Sequence, residues 1–266
     1  MKPGTKKELL RGRTALVTGA SSGIGADFAR QLAAQGCHLI LVARRADRLQ
    51  ALQNEIVAQH GVSVDCVPLD LSQPSAPHQL LELLASTDRS IDVLINNAGQ
   101  GLFGYFSAVT WSSLQQLLQV DLVALTELTH LCLAGMLKRG RGHILLVASN
   151  GAFQPTPTYA AYAAAKSYVL SLGAALHYEL RHSPVQCTVL CPGVTRTEFF
   201  QVAGQKPTTY QRLAMMESAN VARIGLRAML AGRACIVAGR LNTLVAWLTR
   251  LVPRQWLAAM AERAMR

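Results

Sequence analysis

The chain is 266 residues long, enough to bury a sizeable core in a single domain. Half of its residues are hydrophobic and only 15% are charged, with no low-complexity tract or repeat, which excludes disordered and solenoid architectures. The net charge of +11 is concentrated late, since residues 201–266 hold 10 Lys/Arg against 2 Asp/Glu. That balance suits weak attraction to anionic surfaces or ligands, but it lacks the aromatic interleaving of a nucleic-acid platform, and no nucleic-acid partner is expected.

The basic segment MKPGTKKELLRGR enters the first strand without the apolar run of a secretory leader, so the expectation is a cytoplasmic protein. Seven short runs then read as buried strands: TALVT (14–18), HLILVA (38–43), VDCVPL (64–69), IDVLIN (91–96), HILLVAS (143–149), VQCTVLC (185–191) and ACIVA (234–238). Most intervals between them are long enough for a crossover helix, which implies parallel strands covered on both faces. The predicted fold class is α/β: a doubly wound, seven-stranded parallel sheet flanked by helices, with ligands at the carboxyl ends of the strands.

The first strand runs into TGASSGIG (18–25) and then the helical pattern ADFARQLAAQG. Gly19 can turn tightly, Gly23 removes a side chain where a pyrophosphate would approach, and Gly25 permits close helix packing. That context favours a dinucleotide site over an ordinary glycine turn. At the end of the second strand stand Ala43, Arg44 and Arg45. A carboxylate there would bind the ribose of NAD, whereas two guanidiniums suit the 2′-phosphate of NADP(H), which is the expected cofactor. The alternative is a pair of solvated arginines, with Asp47 capping the next helix.

Further along stand Asp70 after the third strand, NNAG (96–99), Ser149 thirteen residues before the tyrosine of YAAAK (162–166), and PGVTRT (192–197). With TGASSGIG, and in this order from Arg13 to about Gly239, they resemble the short-chain dehydrogenase/reductase superfamily in its single-domain branch. The resemblance implies a Rossmann fold forming one NADP-binding domain over residues 1–266, with a substrate lid at 198–217 and an amphipathic helical extension at 240–266. It implies cofactor contacts from Gly19, Ser21, Ser22, Gly23, Ile24 and Gly25, from Arg44, Arg45, Asp70 and Leu71, and from Asn97, Ala98 and Gly99. Pro192, Gly193, Val194, Thr195 and Thr197 complete that set together with Tyr162 and Lys166. In the family the tyrosine protonates the carbonyl oxygen as hydride arrives, the serine (here Ser149) binds the same oxygen, and the lysine also holds the nicotinamide ribose.

Four residues apart on a helix, Tyr162 and Lys166 share a face about 6 Å along the axis, and a nearby ammonium is expected to lower the phenol from about 10. Tyr159, three residues earlier, is expected to pack or to border the pocket. One position departs from the family pattern: Asp121 stands where asparagine is usual, and its charge, if buried near Lys166, would favour the ammonium and weaken proton release, so that activity is expected to be retained but altered. It completes the candidate catalytic set.

The six cysteines form no CxxC pair and read as reduced core thiols, and the seven histidines show no HxxxH or HExxH spacing, so no metal site is expected. After PGVTRT, Phe199, Phe200 and Tyr210 are candidates for lining an apolar pocket. In the tail, Leu241, Leu244, Val245, Leu248, Leu251 and Val252 recur at helical spacing near Trp247, Arg250, Arg254 and Trp256. Packing on the enzyme body or across a dimer is favoured for that face over weak peripheral contact with a membrane. The function read from the sequence is an NADP(H)-dependent oxidoreductase interconverting a carbonyl and an alcohol on an apolar substrate. A 3-oxoacyl thioester is the alternative substrate class, and a catalytically idle NADP(H)-binding sensor or scaffold the alternative function. Family resemblance further implies a homodimer or homotetramer through helices around residues 110–137 and 159–182.

Overall fold

The computed structural model describes residues 10–85 and 89–265, without the side chains of Tyr210 and Met265. Residues 1–9 of the basic N-terminal segment therefore lie outside the described residues, as does the side chain of Tyr210, a candidate pocket residue. Seven parallel strands form the main sheet: β1 (Thr14–Thr18), β2 (His38–Ala43), β3 (Val64–Pro68), β4 (Val93–Asn96), β5 (Gly142–Val147), β6 (Val185–Cys191) and β9 (Cys235–Val237). A separate two-stranded ribbon pairs β7 (Thr195–Arg196) with β8 (Met216–Glu217). The order β3-β2-β1-β4-β5-β6-β9 reverses direction between β1 and β4, and that switch opens a crevice at the carboxyl ends of the strands. Strand boundaries fall within two residues of the runs read from sequence.

Alternation along each strand divides the core in two. Ala15, Val17, Leu39 and Leu41 face α1 (Gly23–Ala33), α2 (Ala46–His60) and α9 (Ser218–Leu230), where Phe28, Leu32, Leu49, Ile56, Val221 and Met229 are fully buried. Leu16, Ile40, Val42 and Leu94 point the other way, onto α3 (Ala76–Ala85), α5 (Leu125–Arg139) and α6 (Ala160–Glu179). Such strands are apolar on both faces because neither face meets water.

Ahead of α5 lie α4 (Trp111–Leu118) and a π-helical stretch, Gln119–Ala124, so that residues 111–139 run as one helix. By length and composition this helix is apolar enough to cross a membrane, but Leu125, Leu128, Cys132 and Met136 are buried in the core against the sheet. A π turn widens the helix by one residue, and here it includes the fully buried Asp121. Gly173 lets α6 lie close to the sheet, since a Cβ there would come 2.2 Å from Val189 Cγ2 on β6.

Beyond β6 the chain forms two short helices, α7 (Phe199–Ala203) and α8 (Thr209–Leu213), and it ends in α10 (Arg240–Leu248) and α11 (Arg254–Met265). Apart from Val245, which borders the cavity, the apolar stripe of the tail is not packed on the body of the molecule, contrary to the intramolecular half of the expectation. Leu241, Leu244, Val245, Trp247, Leu248, Leu251 and Trp256 are exposed, and only Val252 of the stripe is partly covered. The docking faces of these helices use smaller or alternate residues instead: Asn242, Ala246 and Thr249 on α10 and its C-terminal cap, and Leu257 and Ala261 on α11.

Candidate active site

The carboxyl ends of β1, β2, β4, β5 and β6 surround a cavity of about 520 Å³. On its first wall, Gly19 turns the chain out of β1 at φ +66° and leads to Ser22, which precedes α1. The Ser22 side chain makes no capping hydrogen bond among the described residues and the first turn carries no acid, so the first-turn amides present donors and a positive dipole end. Gly25 makes the turn compact, for a Cβ there would lie 2.2 Å from the Gly19 carbonyl oxygen. Gly23 lines the cavity at φ +53°, and a Cβ there would also lie 2.7 Å from the Thr197 methyl.

Asn97 and Ala98 donate their backbone amides to Thr18 Oγ1 at 3.0 and 2.9 Å, which ties the loop after β4 to β1. Asp70 accepts from the Ser72 amide at 3.0 Å and lines the cavity beside Leu71. At the end of β2 the two arginines diverge. Arg45 donates to Glu198 at 2.8 Å and to the Ser21 and Ser22 hydroxyls at 3.1 and 2.9 Å. Arg48 reaches the other Glu198 oxygen at 2.6 Å. Arg44 is exposed on the cavity rim and makes no ion pair among the described residues. Glu198, held down to about 2 by Arg48 and then Arg45, thus bolts the segment before α7 to the cofactor wall.

On the opposite wall Ser149 lies beyond β5 and accepts from the Gly151 amide at 3.1 Å. A Cβ on Gly151 would sit 3.6 Å from Ser149 Oγ and 4.0 Å from Tyr162 Cε1, so the hydroxyl and the phenol ring flank one glycine. One turn on from Tyr162, Lys166 is buried, with its ammonium 5.7 Å from the Tyr162 ring centroid. It donates to the Val147 carbonyl at 3.2 Å and pairs with Asp121 at 3.1 Å, while Asp121 also accepts from the Gln100 amide at 2.9 Å. Gly99 is needed for this arrangement, because a Cβ there would lie 2.9 Å from Lys166 Nζ.

The electrostatics correct one expectation. Burial raises the Tyr162 phenol above its ordinary value, outweighing the lowering by the Lys166 ammonium and the Ser149 hydrogen bond, and the Asp121 carboxylate adds to the rise. The lysine is therefore not a free positive charge beside the phenol. Burial works against its ammonium, but Asp121 first and Tyr162 second hold it above the usual lysine range. Burial also pushes the Asp121 carboxyl up, with Lys166 and the Gln100 amide opposing. An ammonium at 3.1 Å and an amide at 2.9 Å favour the ionised pair.

Beside Tyr162 an aromatic cluster borders the cavity. Phe199 lies 5.2 Å from the Tyr162 ring, Tyr159 lies 5.8 Å from it, and Phe103 lies 5.4 Å from Tyr159. Tyr159 borders the pocket and donates its hydroxyl to Gln205 at 2.7 Å, anchoring α6 to the segment after α7. Just before it, Thr158 holds φ +67°, a costly conformation for a β-branched residue, at the entry to the helix that presents Tyr162.

Of the catalytic and cofactor-binding residues singled out from sequence, all but two line this cavity, Pro192, Gly193, Val194, Thr195 and Thr197 among them. Gly25 and Asp121 stand behind it, the first under the turn and the second under Lys166. Sequence reasoning missed Gln154, Thr156, Glu198 and the inner face of α10. Asn242, Ala246 and Thr249 carried a signal, a small and polar stripe opposite the leucines, which the stronger apolar pattern obscured. Contact of α10 with Gly193 is tight: a Cβ there would lie 2.2 Å from Asn242 Nδ2.

Comparison with known proteins agrees with the geometry. The sequence model of the short chain dehydrogenase family matches residues 13–208. Among relatives, the inactive hydroxysteroid dehydrogenase-like protein 1 of Homo sapiens is 30% identical over 195 residues, 71% of this chain but only 58% of that protein. An uncharacterized oxidoreductase of Myxococcus xanthus is 32% identical over 186 residues, covering 70% of this chain and 73% of that one. Among solved structures, a short-chain dehydrogenase from Sphingobium yanoikuyae in complex with NADPH superposes with a TM-score of 0.79 at 31% identity, over 90% of this chain and 94% of its own.

Proposed function

The chain belongs to the short-chain dehydrogenase family, and on that premise we propose that it is an NADP(H)-dependent oxidoreductase interconverting a carbonyl and an alcohol on an apolar substrate. The observation that carries this reading is the convergence of Ser149, Tyr162 and Lys166 on the same cavity as the glycine turn and the uncapped end of α1. The residues present fit a dinucleotide phosphate. Uncapped first-turn amides suit a pyrophosphate, and the unpaired Arg44 guanidinium on the rim suits a 2′-phosphate. The NADPH complex of the Sphingobium relative supports the same choice.

When bound, the nicotinamide supplies or accepts the hydride. The chain's own residues handle the oxygen and its proton. Tyr162 in its phenol form donates the proton to the carbonyl oxygen during reduction and, as phenolate, accepts it during oxidation. Ser149, beside the phenol ring, donates a hydrogen bond to the same oxygen and fixes its position. Lys166 lowers the cost of phenolate, and its pairing with Asp121 sets how much of that charge the phenol feels. Phe199, Tyr159 and Phe103 exclude water beside the phenol and favour an apolar ketone, aldehyde or secondary alcohol. An acyl thioester is the neighbouring substrate class, supported by the basic C-terminal quarter.

A second reading, a cofactor-binding sensor without turnover, is favoured by one observation. The buried Asp121 neutralises the lysine on which the phenol depends, and a relative at 30% identity bears the name inactive. The proposal also includes a reducing, cytoplasmic setting, which the six unpaired thiols support, and a homodimer or homotetramer, which the exposed Trp111, Tyr168 and Tyr178 on α4 and α6 support. NADPH oxidation against a panel of ketones, aldehydes and 3-oxoacyl thioesters tests the main reading. Turnover that Tyr162→Phe reduces by about 10²-fold or more, with NADPH binding intact, is the expected result. Tight NADPH binding with no turnover on any compound would leave the sensor in its place.

A further inference from the structure

Two consecutive helices at the end of the chain have faces of opposite character. Inward, Asn242, Ala246 and Thr249 of α10 and Ala261 and Ala264 of α11 line the cavity. Leu257 is buried, and Tyr105 donates to Glu262 at 3.1 Å, which seats α11 on the loop before α4. Outward, Leu241, Leu244, Trp247, Leu251, Trp256 and Met260 are each more than half exposed. On α10 the positions 241, 244 and 248 recur at i, i+3 and i+7, so they form one apolar face, while Val245 turns toward the cavity that it helps to line. Six large apolar side chains bare within twenty residues form a patch that an isolated soluble surface does not normally carry.

Charge indicates what covers this patch. Residues 240–265 contain Arg240, Arg250, Arg254 and Arg263 against the single acid Glu262, and all four arginines are exposed. They stand at the start of α10, in the turn between the helices, and along α11, bracketing Trp247 and Trp256. Two tryptophans and several leucines flanked along the chain by exposed arginines match a surface that enters the boundary between lipid headgroups and acyl chains. A second copy of the chain fits less well. A two-fold contact would bring two sets of these arginines into one interface, and the one carboxylate of residues 240–265 is already hydrogen-bonded to Tyr105.

We propose that the outer face of α10 and α11 docks on an anionic phospholipid bilayer, placing the inner face of the same helices, and the cavity it lines, beside the membrane. The docking rests on the helix faces and not on the reductase reading, and vesicle binding measured without substrate keeps the two separable. The full chain, in a Trp111→Phe background so that only Trp247 and Trp256 report, is mixed with phosphatidylcholine vesicles with and without phosphatidylglycerol. Co-sedimentation and a blue shift of tryptophan emission are expected with the anionic vesicles, both weakening as salt is added. Trp247→Ser combined with Trp256→Ser is expected to lower vesicle binding by at least about tenfold while leaving NADPH binding unchanged, because neither side chain lines the cavity. Absence of vesicle binding, or equal binding by the double variant, overturns the proposal. A dimer that the double variant dissolves, with no vesicle binding by the parent, assigns the face to a second copy and overturns it as well.

Discussion

The wall of the cleft that carries the glycine turn is held by backbone in direct contact, whereas the wall made by α7, α10 and α11 is held mainly by side chains and leaves much of its surface bare. On the first wall, Gly19, Gly25 and Asn97 meet at distances where one added carbon has no room, and the strands beneath are fully buried. On the second, the seats include one glutamate between two arginines, one tyrosine on a glutamine, another on a glutamate of α11, and an asparagine against Gly193, with a backbone bond from Phe103 to Ala203 beside them. The first wall therefore tolerates almost no change in shape, and the second tolerates changes in sequence provided a few contacts survive. This division suits a site in which one side must hold a constant ligand and the other can be adapted to a variable one.

Substitutions can break or sharpen that contrast. Gly25→Ala is expected to have the largest effect, because its Cβ would lie 2.2 Å from a backbone oxygen. The expected loss is about 3 kcal/mol or more, read as a lowered urea midpoint, together with loss of NADPH binding. A fully stable Gly25→Ala protein would mean that the first wall is more compliant than its contacts imply.

Asp121→Asn comes next, at a cost of about 2 kcal/mol for the charged hydrogen bond it removes. It also takes away a carboxylate that raises Tyr162, so the Tyr162 pKa should fall. Reduction needs the phenol and is lost as pH rises through its pKa, so in the variant that loss moves to lower pH; oxidation, which needs phenolate, gains at lower pH. A pH-rate profile identical to that of the parent would remove any special role for the carboxylate. Lys166 should fall as well, since Asp121 is the main group holding it up.

Glu198→Gln is expected to matter less for stability, within about 1 kcal/mol, because its partners are partly exposed. Its effect should appear in cofactor affinity: with Arg45 and Arg48 released, the KM for NADPH falls severalfold. The sign with pH follows from the depressed carboxyl. The link contributes in full above the ordinary glutamate value of 4.5 and is lost as pH falls through about 2, so acid titration should loosen the parent but not the variant. Smallest of all is Leu244→Ser on the outer face of α10, expected to change stability by no more than about 0.5 kcal/mol in the absence of lipid. A larger loss would show that this face is covered even in solution.

Most of the first wall was legible in the sequence. Strand runs, glycine spacing and the order of TGASSGIG, NNAG, YAAAK and PGVTRT fix local geometry within a few residues of one another, and local geometry is what residue patterns encode. The pairing of Tyr162 with Lys166 followed from helical spacing, and Asp121 was visible as a departure from the family pattern. What stayed hidden was set by groups distant in sequence. Arg45 lies 153 residues from Glu198, so that ion pair leaves no periodic trace, whereas the pair of Lys166 with Asp121, 45 residues apart, was anticipated only through the family pattern.

The sequence by itself determined a doubly wound sheet, a glycine turn at its switch point and a tyrosine and lysine on one helix face, because each depends on backbone preference and short-range spacing. Only the tertiary structure decided that burial and Asp121 would outweigh the lysine at Tyr162, and that the stripe on α10 would face outward while its small and polar side lined the cavity. Both outcomes depend on which surfaces meet, and an amphipathic pattern states that a face is apolar without stating what lies against it.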